Sequence, residues 1–200
     1  MIVYLDLDRT LFQTSRSNEI WDGIAALYPH IDAKAAFESR SAYYHYVGDQ
    51  YYHDMSAQLE NLGLIPEDVY EELRTSELAD GRFEFEYCRE LIELLLARAD
   101  VSIFTFGPDD YQRFKVSLCP SLRDLPVLTT LRAKADVLED NQEEAWLVDD
   151  KPIGDELPGS ISFVQVSLET RAVTSETIWP IFYDLNSVRE FFDEVLSDDL

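Results

Sequence analysis

The chain has 200 residues, and its 16 Lys+Arg against 40 Asp+Glu give a formal charge of −24, with 46% hydrophobic and 12% aromatic residues. So acidic a surface repels phosphate backbones and anionic headgroups, which excludes a nucleic-acid binder working by counterion release and a basic membrane-surface helix. No run approaches the ~18 apolar residues of a membrane span, the opening MIVYLDLD lacks the basic stretch of a secretion signal, and two cysteines, Cys88 and Cys119, suit a reducing, cytoplasmic compartment better than a disulfide framework.

In chain order, the first predicted strand covers 2–7. From 15 to about 79 nothing reads as a strand, and helices are expected at about 18–28, 33–46, 50–62 and 67–78. Asp32 is placed as an N-cap, Gly63 as a C-terminal stop and Pro66 in a first turn. From Gly81 the pattern alternates: a helix near 83–99, a strand at 101–106 ending in Gly107, a helix near 109–118, and strands at 126–129, 145–148 and 161–166. A last helix is announced by Ser187 and Glu190 at capping-box spacing and runs to about Leu196, before an Asp198-Asp199 tail expected to fray. Five short, almost continuously apolar strands separated by helices indicate an α/β protein, a parallel sheet covered on both faces. A helical block, 15–81, is inserted after its first strand.

In an open parallel sheet, ligands bind beyond the carboxyl ends of the strands. The first strand ends there in Asp6-Leu7-Asp8-Arg9-Thr10, the second in Thr105-Phe106-Gly107, and the fourth in Asp149-Asp150-Lys151, while Lys134 follows the third. Carboxylates gathered at one edge repel one another unless a cation sits among them. A hard divalent ion with oxygen ligands resolves this, and Mg²⁺ in particular binds through few carboxylates plus substrate phosphate. The metal set read this way is Asp6, Asp8, Asp149 and Asp150. Asp6 is placed to attack phosphorus and Asp8 to exchange a proton with the leaving group and then with water. The Thr105 hydroxyl, the N–H groups of Leu7 to Arg9 and Lys134 are placed to bind the phosphoryl oxygens.

The residues Asp6-Leu7-Asp8-Arg9-Thr10-Leu11-Phe12, then Thr105, then a lysine, then Asp149-Asp150 with Asp155 beyond, resemble the four ordered motifs of the haloacid dehalogenase (HAD) superfamily. The resemblance implies a three-layer, Rossmann-like core, 1–14 and 82–200, whose five-stranded parallel sheet has the order 5-4-1-2-3. It also implies that 15–81 is an α-helical cap of the C1 type, which closes over the site and selects the substrate. The implied activity is Mg²⁺-dependent phosphatase chemistry through an aspartyl-phosphate, on a small metabolite such as a sugar phosphate or nucleoside monophosphate. Asp6 matches the nucleophile, Asp8 the acid/base, Thr105 the phosphate-binding hydroxyl, Asp150 the metal ligand, Asp149 a second ligand or a residue orienting a metal-bound water, and Asp155 a supporting residue. An acid at position 8 argues against the dehalogenase branch and the transport ATPases. Lys134 lies only 16 residues before Asp150, closer than is usual for capped members, so Lys115 and Lys151 stand as alternative phosphate lysines. Two other readings are a phosphomutase and a non-catalytic acidic interaction module.

The segment 43–53 carries five of the eleven tyrosines and two of the three histidines. Its rings either touch a substrate's leaving group or pack the cap with their polar tips in water. Arg16 and Arg40 are candidates for a second anionic group of the substrate, while Trp21, Ile24 and Tyr28 at helical spacing read as cap core. Excess acid with scarce lysine also suits a high-salt host, where screening is short-ranged.

Overall fold

The computed structural model describes residues 1–169 and 177–197, so the Asp198-Asp199 tail lies outside the described residues. Apolar runs form the sheet: β1 (Ile2–Leu5), β4 (Asp100–Phe106), β5 (Val127–Thr130), β6 (Ala145–Asp149), β7 (Ile161–Val166) and β8 (Ile181–Phe182). They lie in the order β5-β4-β1-β6-β7-β8, and every neighbouring pair is parallel. The first five strands follow the expected order. The sheet has six strands and not five, because two residues after Pro180 add β8 against Gln165 and Val166, an element too short to leave a periodic signal.

Successive side chains on a strand point to opposite faces, and the sheet divides its apolar residues accordingly. Val3 and Leu5 of β1 face the larger core with Leu91, Leu95, Val188 and Phe192, from α5 (Cys88–Leu96) and α8 (Leu185–Val195). Ile2 and Tyr4 pack on the opposite side with Phe104, Leu147, Phe163 and Leu138 of α7 (Lys134–Leu138). The remaining core helix, α6 (Asp109–Ser117), follows β4 directly. The N-cap of α8 is Asp184, whose side chain accepts from the Ser187 N–H at 2.8 Å, so Ser187 sits inside the helix and does not cap it.

Between β1 and α5 lie α1 (Asn18–Leu27), α2 (Ala33–Ser39), α3 (Met55–Asn61) and α4 (Pro66–Arg74). Asp32 caps α2 by accepting from the Ala35 N–H at 3.0 Å, Gly63 takes φ +76° after α3, and Pro66 opens α4. One expectation for this segment fails. Residues expected to continue two helices form an antiparallel hairpin, β2 (Tyr44–Val47) and β3 (Gln50–His53), joined by Gly48-Asp49 with Gly48 at φ +63°. Tyrosine and histidine suit a strand pair, and a two-residue loop starting in glycine matches a hairpin turn. Among the described residues no helix is long and apolar enough to cross a membrane.

Candidate active site

The loop after β1 is shaped by its own backbone. The Leu7 carbonyl accepts from the N–H groups of Leu11 at 3.0 Å and Phe12 at 2.8 Å, and Arg9 takes the left-handed conformation at φ 62°. This tight turn leaves Asp6 and Asp8 at the carboxyl edge of the central strand, flanked by β4 and β6. The Arg9 N–H, expected to face phosphate, donates instead to the Phe12 carbonyl at 2.9 Å.

The edges of the flanking strands complete a cleft of about 460 Å³. Asp6, Asp149 and Asp150 bring carboxylate oxygens to within 4.8 Å of one another. Lys134, 5% exposed, reaches into this group, with Nζ 2.5 Å from Asp6 Oδ1 and 2.6 Å from Asp149 Oδ2. Of the three lysines weighed from the sequence, Lys134 alone contacts both of these carboxylates, because it opens α7 immediately beyond β5 and points back across the sheet edge. Lys151 stays in the cleft wall, its ammonium 5.6 Å from the Phe106 ring centroid.

Burial and mutual repulsion shape the charge states. Burial pushes the Asp6 carboxyl up to about 6, with the Asp149 charge adding to it and the Lys134 ammonium opposing it. Burial, then the charges of Asp6 and Asp149, push Asp150 up to about 8 against the opposing pull of Arg9 and Lys151. Lys134 loses by desolvation but gains more from Asp149 and Asp6, so its ammonium is held well above the ordinary lysine range. Three crowded acids and one lysine leave excess negative charge at an all-oxygen donor set. Such a set fits a hard divalent cation of the Mg²⁺ type, and Asp6, Asp149 and Asp150 are the residues that could hold it.

Asp8, expected among the metal carboxylates, is not one of these three. Its side chain turns toward α6, where Lys115 binds Oδ2 and Gln112 Nε2 donates to the same oxygen at 3.4 Å, while the Thr14 hydroxyl donates to Oδ1 at 3.1 Å. Burial would raise the Asp8 carboxyl, but the charge and hydrogen bond of Lys115, with the hydrogen bonds from Thr14 and Gln112, together outweigh it and hold the group below its ordinary value. Sequence reading missed this use of Lys115 and missed Gln112 entirely. Their three-residue spacing on α6, which starts at the sheet edge right after Thr105-Phe106-Gly107, is the signal that points to them. Gly107, at φ +147°, lets Gln112 fold back onto the Phe106 carbonyl at 3.0 Å, since a Cβ there would collide with the Gln112 amide.

Thr105 is 1% exposed, and its hydroxyl, lining the cleft, has no hydrogen-bond partner among the described residues. A buried hydroxyl left without a partner costs on the order of 1–3 kcal/mol, so this atom marks where a ligand oxygen would be accommodated. Asp155 is exposed on the short turn Gly154–Glu156 and stands outside the cleft, where it touches none of these groups.

Comparison with known proteins agrees on the architecture. No protein-family model matches the chain, and no curated protein does. Solved structures match over nearly the whole length. A haloacid dehalogenase-like hydrolase from Burkholderia xenovorans superposes with a TM-score of 0.64 at 17% identity, covering 98% of each chain. The L-2-haloacid dehalogenase of Xanthobacter autotrophicus gives 0.54 at 12% identity over 96% of this chain and 98% of its own. A phosphoserine phosphohydrolase-like protein from Francisella tularensis gives 0.54 at 11% over 94% and 98%. The chain therefore has the haloacid dehalogenase-like fold. That fold carries more than one kind of hydrolysis among these neighbours, so the reaction has to be argued from the side chains.

Proposed function

We propose that the protein is a Mg²⁺-dependent phosphomonoester hydrolase acting on a small phosphorylated metabolite, with the segment 15–81 serving as a cap over the cleft and the cytoplasm as its compartment. The observation that carries this reading is the unpartnered Thr105 hydroxyl beside Lys134 and three crowded carboxylates. A phosphoryl group supplies the missing acceptor for that hydroxyl and a third acceptor for the Lys134 ammonium. A divalent cation would offset the burial and mutual repulsion that raise Asp6 and Asp150, together with the negative charge the phosphoryl group brings.

Asp6 Oδ attacks phosphorus in line, the ester P–O bond breaks, and the leaving oxygen takes a proton from Asp8. Water then attacks the aspartyl-phosphate and gives its proton to Asp8, releasing inorganic phosphate and free Asp6. In the ligand-free geometry Asp8 is held ionised by Lys115. The approach of an anionic phosphate raises its proton affinity, and the proton enters with the monoanionic ester. Mg²⁺ bound through Asp6, Asp149 and Asp150 would neutralise charge on the phosphoryl oxygens. Thr105 and Lys134 donate to those oxygens, and Gln112 and Thr14 fix the Asp8 carboxylate.

The test is phosphate release from a panel of phosphorylated metabolites with and without Mg²⁺, with Asp6→Asn as control. The expected result is Mg²⁺-dependent turnover that the substitution abolishes. Turnover that survives Asp6→Asn, or none above that variant on any ester, refutes the reading.

A further inference from the structure

We propose that the hairpin β2–β3 forms a subsite for an aromatic ring on the leaving group, which would make the preferred substrates phosphomonoesters of planar aromatic or heteroaromatic alcohols and not of aliphatic polyols. The inference rests on the phosphomonoester reading above and narrows its substrate class.

The first observation is that the hairpin is not core. Neither strand contains a single fully buried residue, although their eight positions hold four tyrosines and two histidines. Rings recruited for packing are buried, as Trp21 of α1 and Tyr70 of α4 are. A lone two-stranded hairpin is marginal in water, so tyrosine after tyrosine on a partly exposed pair calls for another explanation.

The second observation is where the rings stand. Tyr44, Tyr51 and Tyr52 line the cleft that holds Asp6 and Thr105, together with Phe37 and Phe106. Tyr52 meets Phe106 edge to face at 6.1 Å, and Phe106 is the residue directly after Thr105. Tyr44 and Tyr51 lie 4.8 Å apart in a tilted pair. The hydroxyls of Tyr44, Tyr51 and Tyr52 have no hydrogen-bond partner among the described residues. Tyr52 and the pair of Tyr44 and Tyr51 occupy opposite faces of the hairpin, and a ring bonded through oxygen to a phosphoryl group on Asp6 would enter beside Tyr52 and Phe106, the wall next to Thr105. Their rings would stack on it and the Tyr52 hydroxyl would meet its polar edge.

The third observation is electrostatic. In a chain of charge −24, Arg40 lines the same cleft without a carboxylate partner among the described residues, its guanidinium 3.7 Å above the Phe37 ring centroid and donating to the Phe37 carbonyl at 2.7 Å. A cation held flat over one aromatic face extends the planar surface and presents outward donors to a heteroatom-bearing ring. The cleft, at about 460 Å³, is within the range of sites that enclose ring-bearing ligands and larger than a phosphoryl group on a short polyol requires.

The experiment compares phenyl phosphate and 4-methylumbelliferyl phosphate with glycerol 1-phosphate, reading kcat/KM on the Mg²⁺-loaded full chain and, by calorimetry, binding to the Asp6→Asn variant. The aromatic esters should be favoured at least about tenfold in both readouts. Tyr52→Ala should lower kcat/KM for the aromatic esters about tenfold, mainly through KM, with less than a twofold effect on glycerol 1-phosphate, from the usual worth of one stacked ring. Tyr52→Phe should keep the preference, showing that a folded hairpin with an intact ring suffices. Val47→Ala, at a hairpin position 41% exposed and outside the cleft, should change nothing. Equal affinity and turnover for all three esters, or a Tyr52→Ala loss equal on all three, overturns the inference while leaving the hydrolase reading intact. Hydrolysis that survives Asp6→Asn removes the hydrolase reading, and the binding preference alone then decides the subsite.

Discussion

Lys134 is the residue whose removal says most about how the site is held together. Its ammonium sits between two carboxylates at 2.5 and 2.6 Å, with both acids and the lysine almost fully buried. Replacing it with methionine keeps the stem and removes the charge, leaving Asp6 and Asp149 unpaired in the interior. Removing one partner of a buried ion pair costs about 3–5 kcal/mol, which for a chain of this size corresponds to a fall in Tm of roughly 10 °C. The cost depends on pH. Without Lys134 the Asp6 carboxyl, already raised to about 6, rises further above its unfolded value. The native state of the variant then binds protons that the unfolded state does not, and its stability falls as pH rises through that window. Urea unfolding of wild type and Lys134→Met in the presence of a chelator should therefore show the full loss at pH 8 and a much smaller one near pH 4.5. A difference below about 1 kcal/mol at pH 8, or one that does not shrink on acidification, would refute the account of Lys134 as counterion to buried carboxylates.

Three further outcomes follow from the same geometry. Thr105→Val removes an unpartnered hydroxyl from the interior, so it should leave the ligand-free protein as stable or about 1 kcal/mol more stable, while weakening inorganic phosphate binding about tenfold by calorimetry; a destabilised variant with unchanged phosphate affinity contradicts this. Because Asp6 and Asp150 are raised to about 6 and about 8 and a metal must displace their protons, Mg²⁺ affinity should climb about a hundredfold between pH 6 and pH 8; titration calorimetry giving a flat profile would exclude these ligands. His53 is pushed down to about 4, chiefly by burial, so the unfolded chain takes up a proton below pH 6.5 that the native chain refuses, and stability is lost as pH falls from 6.5 toward 4. His53→Gln should be spared about 1–2 kcal/mol of the decline that wild type shows between pH 7.5 and pH 5 in urea unfolding, and parallel declines would disprove the assignment.

The sheet was legible in the sequence because its inner strands are buried on both faces and read as apolar runs, from Val3 and Leu5 through Ile103 to Val164 and Val166. Its carboxyl edge was legible because Asp6, Thr105 and Asp149 each end such a run. What escaped was whatever burial does not mark. The hairpin carries no buried position, so no alternating pattern announces it, and only tyrosine-rich composition around Gly48-Asp49 hints at a turn. β8 is two residues long. Asp184 displaced Ser187 as the cap of α8, since either type serves and spacing alone does not choose between them. The side-chain partners of Asp8 come from α6 and from Thr14. Which of several nearby polar groups meets a carboxylate is decided by packing angles that periodicity does not encode.

Strand β1 is four residues long, yet it is hydrogen-bonded on both sides, with Ile2 opposite Asp100 on one flank and Ala145 on the other. These are among the most distant pairings the chain makes, and closing such loops is slow relative to local helix formation. During synthesis Asp6 emerges well before Asp149 and Asp150, and it lacks these carboxylate neighbours until residue 150 has left the ribosome. Helices α1 to α4 can form while the carboxylates are still scattered along an unpaired chain. Assembly of the acidic edge thus waits for β6 to join β1, so a product cut or arrested before that step would have secondary structure without a cation site. Metal-dependent protection from proteolysis would accordingly report the joining of β6 to β1 rather than any earlier stage of folding.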